Sequence, residues 1–226
     1  QPFTTIDFPG KLAAVVFLKG CNFRCPYCHN PELLDCNSDS GEKWNSIESF
    51  LERRQGFLDG VVFSGGEPLG QEALPQALEA TRELGFEVGV HTNGSYPERL
   101  QQLLEQRLVS FVALDIKGPF SSYGAITGSQ SGTSVIRSIE LILEAGVSHE
   151  FRTTIHPDVL SEEDLLTLAD QLQNMSAGRL VLQPFKGGNV LKPSLNTARK
   201  TWYSPRFFDV LHERMPGLAI RGQAWH

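Results

Sequence analysis

Strand-like and helix-like patterns alternate six times along this chain, and that alternation constrains its fold more than any other feature. Apolar, β-branched-rich runs lie at residues 12–18, 61–63, 86–90, 111–116, 150–155 and 180–182. Amphipathic segments with recognisable ends separate them. Asn45 and Glu48 stand at capping-box spacing, with Gly56 placed to end that helix. Leu74, Leu78, Thr81 and Leu84 repeat at helical spacing before Gly85. Pro97 suits a first helical turn ahead of Leu100, Leu103 and Leu104. Val135, Ile136, Ile139 and Leu143 lead to Gly146, Ser161 with Asp164 caps a further helix, and Ser204-Pro205 opens the last one. Parallel strands need long crossovers, so repeated strand-then-helix units imply a parallel sheet with helices outside it. Six units fall short of an eight-stranded closed barrel, and periodicity alone leaves an open doubly wound sheet and an incomplete barrel as equals.

Composition narrows the function classes. With 226 residues, 40% hydrophobic and 20% charged, the chain is ordinary globular protein, read as one domain over 1–226 with a basic loop and helix at about 186–214. Its longest purely apolar run, residues 12–18, is far short of the about 20 residues that span a bilayer. No secretory leader opens the sequence given, so a cytoplasmic location is expected. A formal charge of −6 argues against broad nucleic-acid binding, which needs a basic surface to displace phosphate counterions.

The polar signatures all follow carboxyl ends of expected strands. A cysteine cluster follows the first and Ser64-Gly65-Gly66-Glu67-Pro68 the second. His91-Thr92-Asn93-Gly94 follows the third, Asp115-Ile116-Lys117-Gly118 ends the fourth, Arg152-Thr153-Thr154 lies on the fifth, and Gln183 to Lys186 ends the sixth. Parallel-sheet proteins build their sites at that edge, so the six signatures describe one site.

Three of the four cysteines fall within eight positions, at Cys21, Cys25 and Cys28. Several chemistries compete for them. Cys25 to His29 matches a haem-attachment pattern, which belongs to exported proteins. Cys25-Pro26-Tyr27-Cys28 has the form of a redox dithiol, which leaves Cys21 and the other signatures unused. A structural zinc site, as in a zinc-binding interaction module, needs a fourth ligand such as Cys36 or His29. An iron–sulfur cluster on three thiolates leaves one iron open for catalysis.

C-x3-C-x2-C with an aromatic before its last cysteine, followed by Gly-Gly-Glu-Pro, resembles the radical S-adenosylmethionine (SAM) superfamily. Residues 5–10, Cys28-His29-Asn30-Pro31-Glu32, Thr92-Asn93-Gly94 and Asp115-Ile116-Lys117 resemble the glycyl-radical-enzyme activases, most of all those of anaerobic ribonucleoside-triphosphate reductase. The resemblance implies an incomplete (β/α)6 barrel, parallel strands inside and helices outside. It implies a [4Fe-4S] cluster on Cys21, Cys25 and Cys28, and SAM cleaved to a 5′-deoxyadenosyl radical that takes hydrogen from a partner's glycine. The partner implied is the anaerobic reductase, with pyruvate formate-lyase, another glycyl radical enzyme or a small molecule as alternatives, and a flavodoxin as electron donor. It places Tyr27 near the adenine and Gly65, Gly66, Glu67 and Pro68 at the methionine ammonium, where carbonyls and Glu67 accept hydrogen bonds. Thr92, Asn93, Asp115, Lys117, Arg152 and Thr154 complete the cofactor pocket, and Asp7 lies near the protein substrate.

Two departures from the activase pattern stand out. His91 replaces an aspartate that helps hold a monovalent cation, and neutral imidazole suits a hard alkali cation poorly. Lys186 stands where pyruvate formate-lyase activating enzyme carries a histidine near its cofactor, so adenine or ribose recognition is expected to differ. Cys36 is read as a free thiol, and Trp44 and Trp202 as packing residues. Residues 186–208 hold five basic side chains (Lys186, Lys192, Arg199, Lys200, Arg206) and no acidic one, a run expected to steer an acidic partner.

Overall fold

The computed structural model describes residues 1–36, 41–197 and 202–222. Seven strands form one parallel sheet: β1 (Ala13–Leu18), β2 (Gly60–Gly65), β3 (Glu87–Thr92), β4 (Phe111–Asp115), β5 (Ser148–Ile155), β6 (Arg179–Pro184) and β7 (Gly217–Ile220). Their spatial order is the chain order, β1 to β7. A doubly wound sheet reverses its winding partway along. This one never reverses, and its two edge strands stay unjoined, which makes it the open, partial barrel.

The main helices are α1 (Trp44–Glu52), α2 (Leu74–Glu83), α3 (Pro97–Glu105), α4 (Tyr123–Thr127), α5 (Gly132–Ala145), α6 (Glu162–Asn174) and α7 (Pro205–Arg214). Their apolar stripes pack against the sheet's outer face, as with Leu100 and Leu103 of α3 and Leu165, Leu168 and Leu172 of α6. The Ser161–Asp164 capping box forms in full, and Ser204 accepts the Phe207 N–H at 3.1 Å. Gly146 ends α5 at φ 61°, a left-handed conformation that costs glycine little. Trp44 stacks on Phe63 of β2, centroids 6.4 Å apart, while Trp202 remains 47% exposed beside His156.

Three features depart from the sequence reading. α1 starts at Trp44 with Lys43 as an N-cap that makes no side-chain bond, so the Asn45–Glu48 capping box does not form. The short α4 carries no periodic stripe; it exists because Tyr123, fully buried, accepts the Lys117 N–H at 3.0 Å. The sheet holds a seventh strand beyond the six expected, because four residues of Gly-Leu-Ala-Ile hold too little alternation to stand out.

The inner face of the sheet has its own core. Phe8, Ala13, Val15, Val62, Phe111 and Ala113 pack there, and Phe8 stacks on Phe111 with centroids 5.2 Å apart. Phe8 arrives on the N-terminal segment, whose Thr4 pairs antiparallel with Ala13 along the β1 edge. This plug fills the barrel interior, while the strands' carboxyl ends surround an open cavity. No described helix is long and apolar enough to cross a membrane.

Candidate active site

Within the chain, the cysteine loop is held from several sides. Gly20 and Cys21 donate backbone N–H groups to Leu33 and Leu34, Arg24 donates to Thr127 at 2.7 Å, and Cys28 N–H closes a turn onto Cys25 at 3.0 Å. The Arg24 guanidinium reaches back to the carbonyls of Cys21 and Phe23. These bonds present all three cysteines to one cavity of about 360 Å³.

Tyr27, Gly65, Gly66, Thr92 and Asn93 line the same cavity, as do Asp115, Lys117, Arg152, Thr154 and Asp7. Signatures spread over more than a hundred residues therefore meet at one strand edge. The cavity also takes in groups the sequence reading did not single out. Ser64, Phe23, His29, Asn30 and Gln183 belong to signatures already noted, whereas Arg221 follows the end of β7. Arg221 pairs with Glu150 of β5 at 2.5 Å, and no local pattern announced it.

Glu67 and Pro68 do not line the cavity. Glu67 is 1% exposed, and its carboxylate accepts the Thr92 hydroxyl at 2.6 Å, the Asn93 N–H at 2.7 Å and the Leu69 N–H at 3.1 Å. Its acceptors are spent within the protein, tying the turn after β2 to the turn after β3. The glycines answer to the same packing. A Cβ on Gly66 would lie 2.2 Å from the Gly20 carbonyl oxygen, and one on Gly65 would lie 2.4 Å from that of Leu18. Gly65 also has φ 113°. Only glycine lets this turn press against β1 and the cysteine loop.

Charge is concentrated opposite the cysteines. Arg152 Nε donates to Asp115 at 2.9 Å, and Lys117 Nζ lies 3.7 Å from the other carboxylate oxygen. Burial would raise the Asp115 pKa, but Arg152 and Lys117 more than offset it and hold the carboxyl well below the usual range. The trio carries a net positive charge facing the cavity. Burial pushes the Cys25 thiol up to about 11 and raises Cys21 as well, with Lys117 opposing both. Thiolate ligation there would draw on the positive charge of a metal, which would release the thiol protons.

The cavity fits a thiolate-held cluster with an organic cofactor beside it. Its donor set is three soft sulfurs on one loop. Cys21 Sγ also lies within reach of the Phe23 N–H at 3.4 Å and the Asn93 amide at 3.9 Å, donors of the kind that tune a metal-bound sulfur. The buried Tyr27 hydroxyl has no hydrogen-bond partner among the described residues, which leaves a polar group in the cavity wall for a ligand. Among the described residues, no three His, Cys, Asp or Glu side chains are gathered to grip a single metal ion.

His91 is buried and neutral. Burial, then the Arg152 charge, lowers its pKa to about 4. Its Nε2 lies 2.7 Å from the Asp7 carbonyl, so the imidazole holds the N-terminal segment over the inner core. Lys186 does not line the cavity; its side chain is exposed, and its carbonyl meets His29 Nε2 at 2.5 Å. Gln183, within β6, lines the cavity instead. Arg199 and Lys200 of the basic run lie outside the described residues. Cys36 is exposed and sits outside this cavity.

An open parallel barrel with three cysteines after its first strand defines a class. Residues 15–172 match the Radical SAM superfamily, and the chain belongs to that superfamily. It is 36% identical over 180 residues to a Methanocaldococcus jannaschii protein named as a glycyl-radical enzyme activating enzyme, covering 76% of this chain and 72% of the other. It is 32% identical over 182 residues to the pyruvate formate-lyase-activating enzyme of Clostridium pasteurianum, covering 75% and 73%. It is thus a radical SAM enzyme of the glycyl-radical-enzyme activating group, and its cofactors are a [4Fe-4S] cluster and SAM. The relation displaces the zinc-module alternative.

Solved structures agree on the fold. Streptococcus suis SuiB bound to precursor peptide SuiA superposes with a TM-score of 0.71 at 16% identity, over 96% of this chain and 49% of SuiB. This chain spans about half of SuiB's length. A structure of anSMEcpe with bound AdoMet gives 0.68 at 18% identity, over 92% and 63%.

Proposed function

We propose that this chain installs a glycyl radical on a partner enzyme, with anaerobic ribonucleoside-triphosphate reductase as that partner. The observation that carries the reading is the meeting, in one cavity at the open barrel's strand edge, of three cysteines with the Asp115–Arg152–Lys117 trio. Cys21, Cys25 and Cys28 hold the cluster, leaving one iron for SAM. When bound, the two cofactors supply one-electron reductive cleavage of the sulfonium and hydrogen-atom abstraction.

The chain's own groups set the conditions for that chemistry. Lys117 and Arg152 outweigh Asp115, so the cavity attracts an anionic group such as a carboxylate. Gly65 and Gly66 bring backbone to the cavity wall without side chains in the way. Tyr27 offers an unspent hydroxyl, and Asn93 keeps its amide near the Cys21 sulfur. Thr92 and Asn93 are held in place from behind by Glu67. Asp7 brings the N-terminal segment to the rim, and the unjoined β1 and β7 edges leave room for a protein loop. Free cysteine thiols and this chemistry suit a reducing cytoplasm, and a single domain over 1–226 accords with one continuous sheet.

A pyruvate formate-lyase partner is the second reading, favoured by the Clostridium pasteurianum relative and by a 26% identical one from Streptococcus mutans of the same name. The test is anaerobic reconstitution with iron and sulfide, reduction with SAM present, and electron paramagnetic resonance of each candidate partner. A glycyl radical on the reductase alone supports the first reading, and one on the lyase alone supports the second. 5′-Deoxyadenosine without a radical on either would move the substrate elsewhere. No 5′-deoxyadenosine from a fully loaded cluster would overturn both.

A further inference from the structure

The inner face of the barrel divides in two. Over β1 to β4 it is apolar and covered, with Phe8, Val15, Val62, Phe111 and Ala113 sharing one buried cluster. Over β5 to β7 it is uncovered. Val181 of β6 is half-buried and Ala219 of β7 exposed, while their outward neighbours Leu182 and Ile220 are buried in the outer core. A small barrel that fills its own interior does so with side chains from every strand. Here the half beside the free β7 edge is left to solvent.

Arg221 reaches into this open half. Its backbone N–H donates to the Leu182 carbonyl at 2.9 Å, continuing the ladder one residue past β7. Leu182 pairs with Ile220, so Arg221 stands next to Gln183, and Gln183 pairs in turn with Thr154 of β5. All three line the cavity that holds the cysteines. The guanidinium crosses the inner face of β6 to Glu150, which accepts one N–H at 2.5 Å, and both side chains are part-buried. A guanidinium has five N–H donors. The others, like the Gln183 amide and the Thr154 hydroxyl, meet no hydrogen-bond partner among the described residues.

Glu150 neutralises Arg221, so this pair adds no net charge to the cavity, in contrast to the Asp115–Arg152–Lys117 trio. A guanidinium already paired and held in place selects a neutral acceptor, such as an amide carbonyl, and loses little freedom in binding it. Gln183 adds one donor group and one acceptor, the pair that a peptide unit itself presents. Groups of this kind bind main chain, and main chain is all that a glycine offers.

We propose that Arg221, positioned by Glu150, binds main-chain carbonyls of the partner segment that carries the target glycine, with Gln183 beside it. The proposal rests on the reading that this chain installs a glycyl radical. The residues expected at the cofactor lie on β1 to β5 and the turns after them. Arg221 lies beyond these, at the end of β7 and beside the unjoined edge, on the side from which a protein segment enters.

The test is steady-state activation of the glycyl radical enzyme by the reconstituted full chain, with the glycyl radical counted by electron paramagnetic resonance. Arg221→Lys keeps the charge and the pairing with Glu150 but gives up the planar fork. It should raise the KM for the partner at least about tenfold, with the loss falling on KM rather than kcat, the split that marks lost binding. Glu150→Gln keeps an acceptor but frees the guanidinium, and should raise KM by a smaller factor. A heptapeptide centred on the target glycine should bind the parent within about threefold of the same peptide with its flanking residues scrambled. Arg221→Lys should weaken both peptides alike. Should the lysine variant not fold, Arg221→Gln/Glu150→Gln removes both charges together and is read in the same way. A parental KM in the variant overturns the proposal. An equal loss of SAM affinity also overturns it, giving Arg221 to the cofactor, as does peptide binding abolished by scrambling, which would mean that side chains are read. A parent that places no radical on either candidate partner overturns the underlying reading instead.

Discussion

Glu67 accepts the Thr92 hydroxyl at 2.6 Å across 25 residues of sequence, and the pair clamps the turns after β2 and β3 together behind the cysteine-lined cavity. Glutamine at this position keeps one acceptor but turns an N–H₂ toward the Asn93 N–H. Glu67→Gln should therefore cost about 1–3 kcal/mol, the usual penalty for a buried donor left facing a donor, and Glu67→Ala more. Urea unfolding of the metal-free protein measures it. A Glu67→Gln protein as stable as the parent would mean that the clamp carries no weight.

His91 sets the acid side of stability. Its pKa falls from 6.5 to about 4 on folding, so between those values the unfolded chain binds more protons. Stability from this group is complete above pH 6.5 and is lost as pH falls toward 4, at most about 3 kcal/mol in all. Glu67 works in the opposite sense: its pKa rises from 4.5 to about 7, chiefly through burial, so stability falls as pH rises across that interval. The parent's melting temperature should be nearly flat from pH 4.5 to 6.5. In His91→Gln, which can still reach the Asp7 carbonyl, the Glu67 slope stands alone and melting temperature should fall with rising pH. A parallel profile in parent and variant would refute the assignment.

Asn93 should tune the cluster without holding it. Its amide lies 3.9 Å from Cys21 Sγ, and donors to a thiolate stabilise the reduced, more negative state. Asn93→Ala should keep its full iron content while its reduction potential drops by some tens of millivolts. Potentiometric titration followed by electron paramagnetic resonance measures the shift. An unchanged potential would limit Asn93 to its bonds with Asn22 and Ser95.

The four cysteines should divide three to one. Cys21→Ala, Cys25→Ala and Cys28→Ala should each abolish 5′-deoxyadenosine formation and reduce bound iron. Cys36→Ser should match the parent in iron, sulfide and product. A Cys36→Ser protein that loses its cluster would show that the exposed thiol takes part in ligation.

Gly66→Ala tests how tightly the turn is packed. Its Cβ would lie 2.2 Å from the Gly20 carbonyl oxygen, a backbone atom that cannot swing aside. The substitution should destabilise the metal-free protein by several kcal/mol and disturb cluster assembly, because Gly20 directly precedes Cys21. Iron loading and unfolding together check it; a native-like Gly66→Ala protein would contradict the contact.

What this sequence determined by itself was everything carried by local periodicity and local chemistry. The six strand runs, the stripes of α3, α5 and α6, the Ser161–Asp164 cap and the three-cysteine loop were legible because each depends on neighbours a few residues apart. The convergence of signatures followed, since a parallel sheet puts its strands' carboxyl ends along one edge. Only the tertiary structure decided the winding of the sheet, the seventh strand and the arrival of Arg221 beside Glu150, 71 residues away. It also turned Glu67 inward onto Thr92 and Asn93 after β3, set His91 against Asp7 across 84 residues, and brought the Lys186 carbonyl to His29 across 157. A side chain's direction is chosen by which distant segment packs beside it, and the residue's own sequence neighbours hold no record of that choice.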